Sequence, residues 1–177
     1  IDAHAHFLAY GLGKQKLDLE GTTSWDDIIH FCADFGKSMT PGEWLIGRGW
    51  DQNDWADKNF PDNSKLNEMY PDRPVLLTRI DGHAAIANAK ALEIAGVKAG
   101  QTLTGGDVVT KNGKLTGLLV DNAVDLVSSF IPAPSAVSVT EALSDAELDC
   151  FSYGLTTVDD CGLDAASIRS IDSLQKK

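Results

Sequence analysis

His4 and His6 stand one residue apart in the opening run IDAHAHF. Ile1, Ala3 and Ala5 alternate there with Asp2, His4 and His6, which is the two-residue period of a strand. Side chains at i and i+2 of a strand point to one side, ~7 Å apart along the chain. Both imidazoles can therefore face one ion. Imidazole suits zinc and other borderline divalent metals. Asp2 falls on the same face and can accept a hydrogen bond behind a ligand. The tripeptide alone also fits two ordinary strand histidines. A hydrolytic zinc centre takes about three protein ligands plus a water.

Three further stretches carry chemistry. In RIDGH, Asp81 and His83 follow a strand end, where α/β proteins hold ligands; capping of a following helix is the other reading. In GRGWDQNDW, Gly47 and Gly49 permit tight backbone geometry. Trp50, Asp51 and Trp55 there set flat apolar faces beside a carboxylate, which suits a small organic substrate. The same tryptophans also fit core anchors. With Trp44 they resemble a carbohydrate-binding set, a reading that leaves the histidines without purpose. In TTVDDCG, Asp159 and Asp160 end a strand, and Cys161 is of a type more often buried than nucleophilic. His30 falls on a core-facing helical stripe and reads as structural. The sequence has no HExxH, no Gly-x-Ser-x-Gly and no glycine-rich phosphate loop.

These side chains need elements to place them. The strand from Ile1 to Phe7 is expected to break at Gly11 and Gly13. TTSWDDIIHFCADFG reads as a helix capped by Thr23 or Ser24 and stopped by Gly36. EWLIGRGWD reads as a strand, residues 52–63 as a loop, SKLNEMY as a short helix and RPVLLTRIDGH as a strand. AAIANAKALEIAG predicts a helix ending at Gly96. Asn112-Gly113 marks a hairpin, and Asp121 fits a cap on the helix that Pro132 and Pro134 end. SVTEALSDAELDCFSYG predicts a helix from Ser138 or Thr140, and LTTVDD a strand. DAASIRSIDSLQKK reads as a last helix with Lys176 and Lys177 at its end. Strands alternating with helices imply α/β organisation, with parallel strands and helical crossovers.

The chain has 177 residues and a net charge of −11. That balance argues against a nucleic-acid partner and against an anionic membrane surface. No apolar run approaches the ~20 residues of a spanning helix. Three widely spaced cysteines, Cys32, Cys150 and Cys161, form no disulfide framework, and a reducing, cytoplasmic location is expected.

In their order along the chain, IDAHAHF, WLIGRGWDQNDW, PVLLTRIDGHAAIAN, GKLTGLLVDNA and GLTTVDDCG resemble the amidohydrolase superfamily. Within it they are similar to the amidohydrolase-3 group, which includes the N-substituted formamide deformylases. The resemblance implies a metal-dependent hydrolase of C–N bonds in a small molecule, with a divalent cofactor, zinc being expected. It implies part of a (β/α)8 TIM barrel. The first strand and the following helix would occupy 1–43. A large α/β insertion over the barrel mouth would occupy 44–132, and a helix, the second strand and another helix 133–177. His4 and His6 carry over as metal ligands, and Trp50, Asp51, Asp81 and His83 as pocket wall. The general base, usually an aspartate, is expected outside this segment, as are further ligands. Asp159 stands where the family commonly has a histidine. The segment alone is then expected to be inactive and, with open strand edges, to self-associate. The alternative is a self-standing binding or interaction module with a vestigial site.

Overall fold

A computed structural model of the chain describes residues 1–176; Lys177, read above with Lys176 at the end of the last helix, lies outside the described residues. The elements in chain order are β1 (Asp2–Ala5), α1 (Phe7–Lys14), β2 (Leu17–Asp18), α2 (Trp25–Gly36), β3 (Leu45–Trp50), α3 (Ser64–Met69), β4 (Val75–Arg79) and β5 (Ala84–Ala87). They continue with α4 (Ala89–Ile94), β6 (Gly106–Lys111), β7 (Lys114–Asp121), α5 (Asp125–Ser128), α6 (Ala136–Ser152), β8 (Val158–Asp160) and α7 (Ala165–Gln175). They fall into two compact units, which are described separately. The first is Ile1–Lys16 with the chain from Pro132 onward, and the second is Leu17–Ile131.

The second unit is a six-stranded sheet in the order β2-β3-β4-β5-β7-β6. β2, β3 and β4 are parallel, joined through α2 and α3 as the sequence pattern implies. The remaining pairings are antiparallel. Loop length is the reason for β4–β5 and for β6–β7: a crossover needs a dozen residues or more, while a tight turn can only reverse the chain. Residues 80–83 turn β4 into β5. Asn112 (φ 53°) and Gly113 (φ 75°) turn β6 into β7 with Lys111 opposite Lys114. Two successive left-handed residues are the type I′ geometry that Asn-Gly favours.

Strand alternation splits this unit's core between the two sheet faces. Val75, Leu77, Ala84, Ile86 and Leu118 pack with Ile28, Cys32 and Leu66 from α2 and α3. Leu76, Ala85, Ala87 and Leu119 pack with Ala91, Leu92 and Val127 from α4 and α5. The alanine-rich stretch after His83 is thus a central strand first and a helix only from Ala89. Both faces of β5 are covered, so tertiary burial overrides alanine's helix propensity. Asn88 marks the change of structure. Its fully buried amide accepts from the Val75 and Ala91 N–H groups and donates to the Tyr70 and Arg73 carbonyls, at 2.8–3.0 Å. Ser24 caps α2 by accepting from Asp27 N–H at 3.1 Å. α2 buries Ile28 and Cys32 and exposes His30, which corrects the core-facing placement read from the helical period.

In the first unit β1 lies parallel to β8, with Asp2 opposite Val158 and Ala5 opposite Asp160. The first strand ends earlier than Gly11 and Gly13, and α1 runs through both glycines. Gly11 is buried, and a Cβ on it would overlap the carbonyl of Ala142 in α6. The glycine serves close helix packing, not a break in the strand. α6 starts before Ser138, because Ser135 takes the cap and accepts from Ser138 N–H. Asp164 caps α7 in the same way, accepting from Ser167 N–H.

Candidate functional site

His4 lies in β1, and His6 lies at its carboxyl end, just before α1. Both side chains are exposed, with ring centroids 5.7 Å apart and planes at 85°. Asp2 is hydrogen-bonded to the backbone, its Oδ1 accepting from the N–H of His4 at 3.1 Å. Asp160, the strand-end carboxylate, braces the loops. Its Oδ1 accepts from Gly162 N–H at 2.7 Å and its Oδ2 from Leu8 N–H at 3.2 Å. Gly162 passes so near His6 that a Cβ there would stand 3.0 Å from Nδ1. Among the described residues no three His, Cys, Asp or Glu side chains gather as a metal cage. By donor chemistry two imidazoles suit a borderline divalent ion.

Beside His6 a cavity of about 370 Å³ is lined by Phe7, Tyr10, Asp149, Tyr153 and Val158 among others. Asp149 accepts from Tyr10 Oη at 2.7 Å and Lys14 Nζ at 2.5 Å. These hydrogen bonds, Lys14's first, hold Asp149 below the usual carboxylate range and raise Tyr10 and Lys14. Sequence reading missed this trio, because its members lie on helices far apart in the chain.

The other expected site residues lie in the second unit. At Gly49 (φ 115°) the β3–β4 register shifts by a bulge. Beyond it Trp50 turns fully into the core, with its indole N–H on the Leu77 carbonyl at 2.9 Å. Trp55 is also buried and donates to the Thr22 carbonyl. Both tryptophans are core anchors. Trp50 supports the sheet end from beneath and offers no face to a ligand, which corrects its reading as pocket wall.

Asp51, Asp81 and His83 do come together, and Arg79 joins them. Arg79 donates from Nη2 to Asp51 Oδ1 at 3.0 Å and from Nη1 to Asp81 Oδ2 at 2.6 Å. Its side chain is 17% exposed, and its Nε is buried with no hydrogen-bond partner. The Asn53 N–H first, and Arg79 after it, hold the Asp51 carboxyl below its ordinary range. Asp81 Oδ1 accepts from His83 N–H at 3.0 Å. No helix follows; the chain enters β5, so the helix-cap reading of this pair fails. His83 Nδ1 lies 2.8 Å from Asp121 Oδ1, and Asp121 N–H donates to the His83 carbonyl at 2.7 Å. Asp121 thus partners His83, and its left-handed backbone (φ 49°) sets it there. Arg79 was within reach of the sequence, two residues before Asp81. Nothing in the sequence marks Asp121 as left-handed or pairs it with a residue 38 positions away.

The sequence model of the amidohydrolase family matches residues 1–172. "Putative amidohydrolase YtcJ" of Bacillus subtilis (strain 168) is 38% identical over 158 residues, 88% of this chain and 30% of that protein. N-substituted formamide deformylase of Arthrobacter pascens is 26% identical over 175 residues, 94% of this chain and 32% of that one. The crystal structure of an uncharacterized metal-dependent hydrolase from Pyrococcus horikoshii OT3 superposes with a TM-score of 0.71 at 21% identity, over 99% of this chain and 33% of that one. The chain thus spans about a third of the length of these relatives. The mixed α/β fold is that of the Pyrococcus hydrolase, and with its sequence matched nearly end to end, this chain belongs to the amidohydrolase family.

Proposed function

We propose that the chain is a segment of a metal-dependent amidohydrolase that cleaves a C–N bond in a small amide- or formamide-like molecule. The name of the Arthrobacter relative supports the substrate class. We read β1 and β8 as the first two strands of a (β/α)8 barrel, with residues 44–132 as the main part of the insertion between them in the chain. Two observations support this: the strands are parallel neighbours, and each is followed by a helix. The observation that carries the reading is His4 and His6 at the carboxyl end of β1, where barrels hold their ligands.

His4 and His6 would hold a divalent cation, zinc by preference, through neutral ring nitrogens. The chemistry such a cation supplies when bound is Lewis acidity, which acidifies water and polarises a carbonyl. Asp160 and Gly162 keep the loop beside His6 in place. Asp51, Asp81 and His83, held by Arg79, would recognise the polar groups of the substrate. The general base belongs to the remaining part of the enzyme, so the segment alone is inactive. It works in the cytoplasm, needs neither nucleic acid nor membrane, and self-associates when isolated, in keeping with the exposed Leu148, Phe151 and Tyr153.

Calorimetric titration with zinc tests the ligands. Binding by the native chain and its loss in the His4→Ala/His6→Ala form is expected. Equal binding by the two forms overturns the ligand assignment, and binding by neither means that ligands from the rest of the enzyme are needed to hold the ion. Hydrolysis of N-butylformamide by the native segment, abolished by His4→Ala, overturns the inactivity of the segment.

A further inference from the structure

We infer that His83 and Asp121 form an oriented acceptor pair, in which Asp121 fixes the proton of His83 on Nδ1 and leaves the Nε2 lone pair to accept a hydrogen bond from a substrate N–H. The pair itself stands on geometry. Its use toward an N–H of an amide-like substrate rests on the function proposed above.

Exposed ion pairs are ordinarily loose, and His83 and Asp121 are 74% and 50% exposed. What makes this pair different is its frame. β5 and β7 are paired up to Ala84 opposite Val120, so the two residues meet one step past the last ladder pair. The Asp121 N–H to His83 carbonyl bond closes the backbone there. From the other side Asp81 holds the His83 N–H, and Arg79 holds Asp81. Asp121 is further fixed by its left-handed backbone and by β6, where it stands opposite Gly106. Both ends of the Nδ1···Oδ1 contact are thus pinned by backbone rather than by side-chain packing.

A carboxylate can only accept, so a neutral imidazole at 2.8 Å from it must carry its proton on Nδ1. Nε2 is then an acceptor by elimination. Asp121 is a positioning residue in this scheme, and His83 is the residue that meets the ligand. The ligand class follows from the surroundings. Asp51, Asp81 and Asp121 outnumber Arg79 and Arg48, whose guanidinium donates to the Ile80 carbonyl, and the imidazole nitrogen not held by Asp121 accepts. The group recognised is therefore a donor, a secondary amide or formamide N–H, and not an anion.

Long-range ¹⁵N–¹H correlation of the histidine rings in the ¹⁵N-labelled chain reads the tautomer directly, at about pH 8.5 where imidazole is neutral. The native chain is expected to show His83 mainly as the Nδ1–H form. Asp121→Gly removes the acceptor and is expected to shift it to the Nε2–H form that free histidine favours in water. Glycine tolerates the left-handed backbone, and unchanged amide signals across β6 and β7 would certify the fold of that variant. A dominant Nε2–H form in the native chain overturns the pair without any variant. The Nδ1–H form persisting in Asp121→Gly overturns the role of Asp121. N-Butylformamide and N-butyl-N-methylformamide are then titrated into the native chain. A shift of His83 Nε2 with the first alone completes the case. With the Nδ1–H form present, equal shifts or none overturn recognition of an N–H by this residue. Equal shifts would leave the sheet end as pocket wall, whereas none would remove that reading as well.

Discussion

The two units of this chain are built to different standards of closure. The sheet of the second is covered on both faces, and among the described residues all but three of the buried apolar ones lie there. The described residues of the first include only Ala142, Leu143 and Ala146 as buried apolar side chains. It leaves Val137, Leu148, Phe151, Tyr153 and Ile168 more than half exposed, and α7 has no buried residue among those described. Yet the first unit carries the histidine pair, and the second carries the polar network around Arg79. The difference teaches where each candidate function gets its rigidity. His83 and Asp51 are held by a sheet with its own core. His4 and His6 are held by a two-stranded ladder, one glycine loop and the Asp160 brace.

Thiol labelling should separate the units most widely. Cys32 sits in the second unit, fully buried, and burial pushes its thiol up to about 12. Cys161, in the first unit, is exposed. The thiolate is the reacting form, so Cys32 should react at least about 1,000-fold more slowly than Cys161 in the native chain. The gap should close in denaturant. Comparable rates without denaturant would mean that the second unit opens as readily as the first.

Substitution to alanine should draw the same line in stability. Trp50→Ala removes a fully buried indole together with its bond to Leu77, and should cost about 4 kcal/mol in urea unfolding. Ile168→Ala, at 54% exposure, should cost less than about 0.5 kcal/mol. Similar costs would show that Ile168 is covered in solution, and a dependence on protein concentration would point to self-association as the cover. Gly11→Ala falls between them. Alanine in a helix normally gains up to ~1 kcal/mol over glycine. Here the added methyl meets the Ala142 backbone, and a loss of about 2 kcal/mol is expected. All four tryptophans belong to the second unit. The Gly11→Ala loss should therefore appear in helical circular dichroism with little change in the tryptophan-fluorescence transition.

Those glycines also mark how far sequence reasoning reached. Local signals worked where the chain decides its own geometry: Ser24 as a cap, Asn112-Gly113 as a turn, and Val75–Arg79 as a strand. They failed where a distant neighbour decides. Gly11 looks like a strand breaker and is a packing notch inside α1. Ala84–Ala87 looks helical and is a strand because both of its faces are buried. Trp50 looks like a ligand platform and is core. The site followed the same rule. Asp51, Asp81 and His83 were legible as strand-end polar residues, but Asp121 needed a hairpin to bring it to His83. Arg79, beside them in sequence, took its meaning only from the two carboxylates it bridges.

The smallest effect probes that bridge. Asp51 is held below the ordinary carboxylate value of about 3.9. Its contribution to stability is complete above that value, where it is charged folded and unfolded alike. It is lost as the pH falls through its lower folded value. Acid unfolding followed by tryptophan fluorescence should accordingly have a flatter limb below about pH 4 in Asp51→Asn. Arg79→Met should flatten it less, because the Asn53 N–H, not the guanidinium, is the first cause of the depression. A greater flattening in Arg79→Met would reverse that order. It would make the arginine the chief electrostatic tie at this sheet end, and would set the closed second unit apart from the first by charge as well as by core.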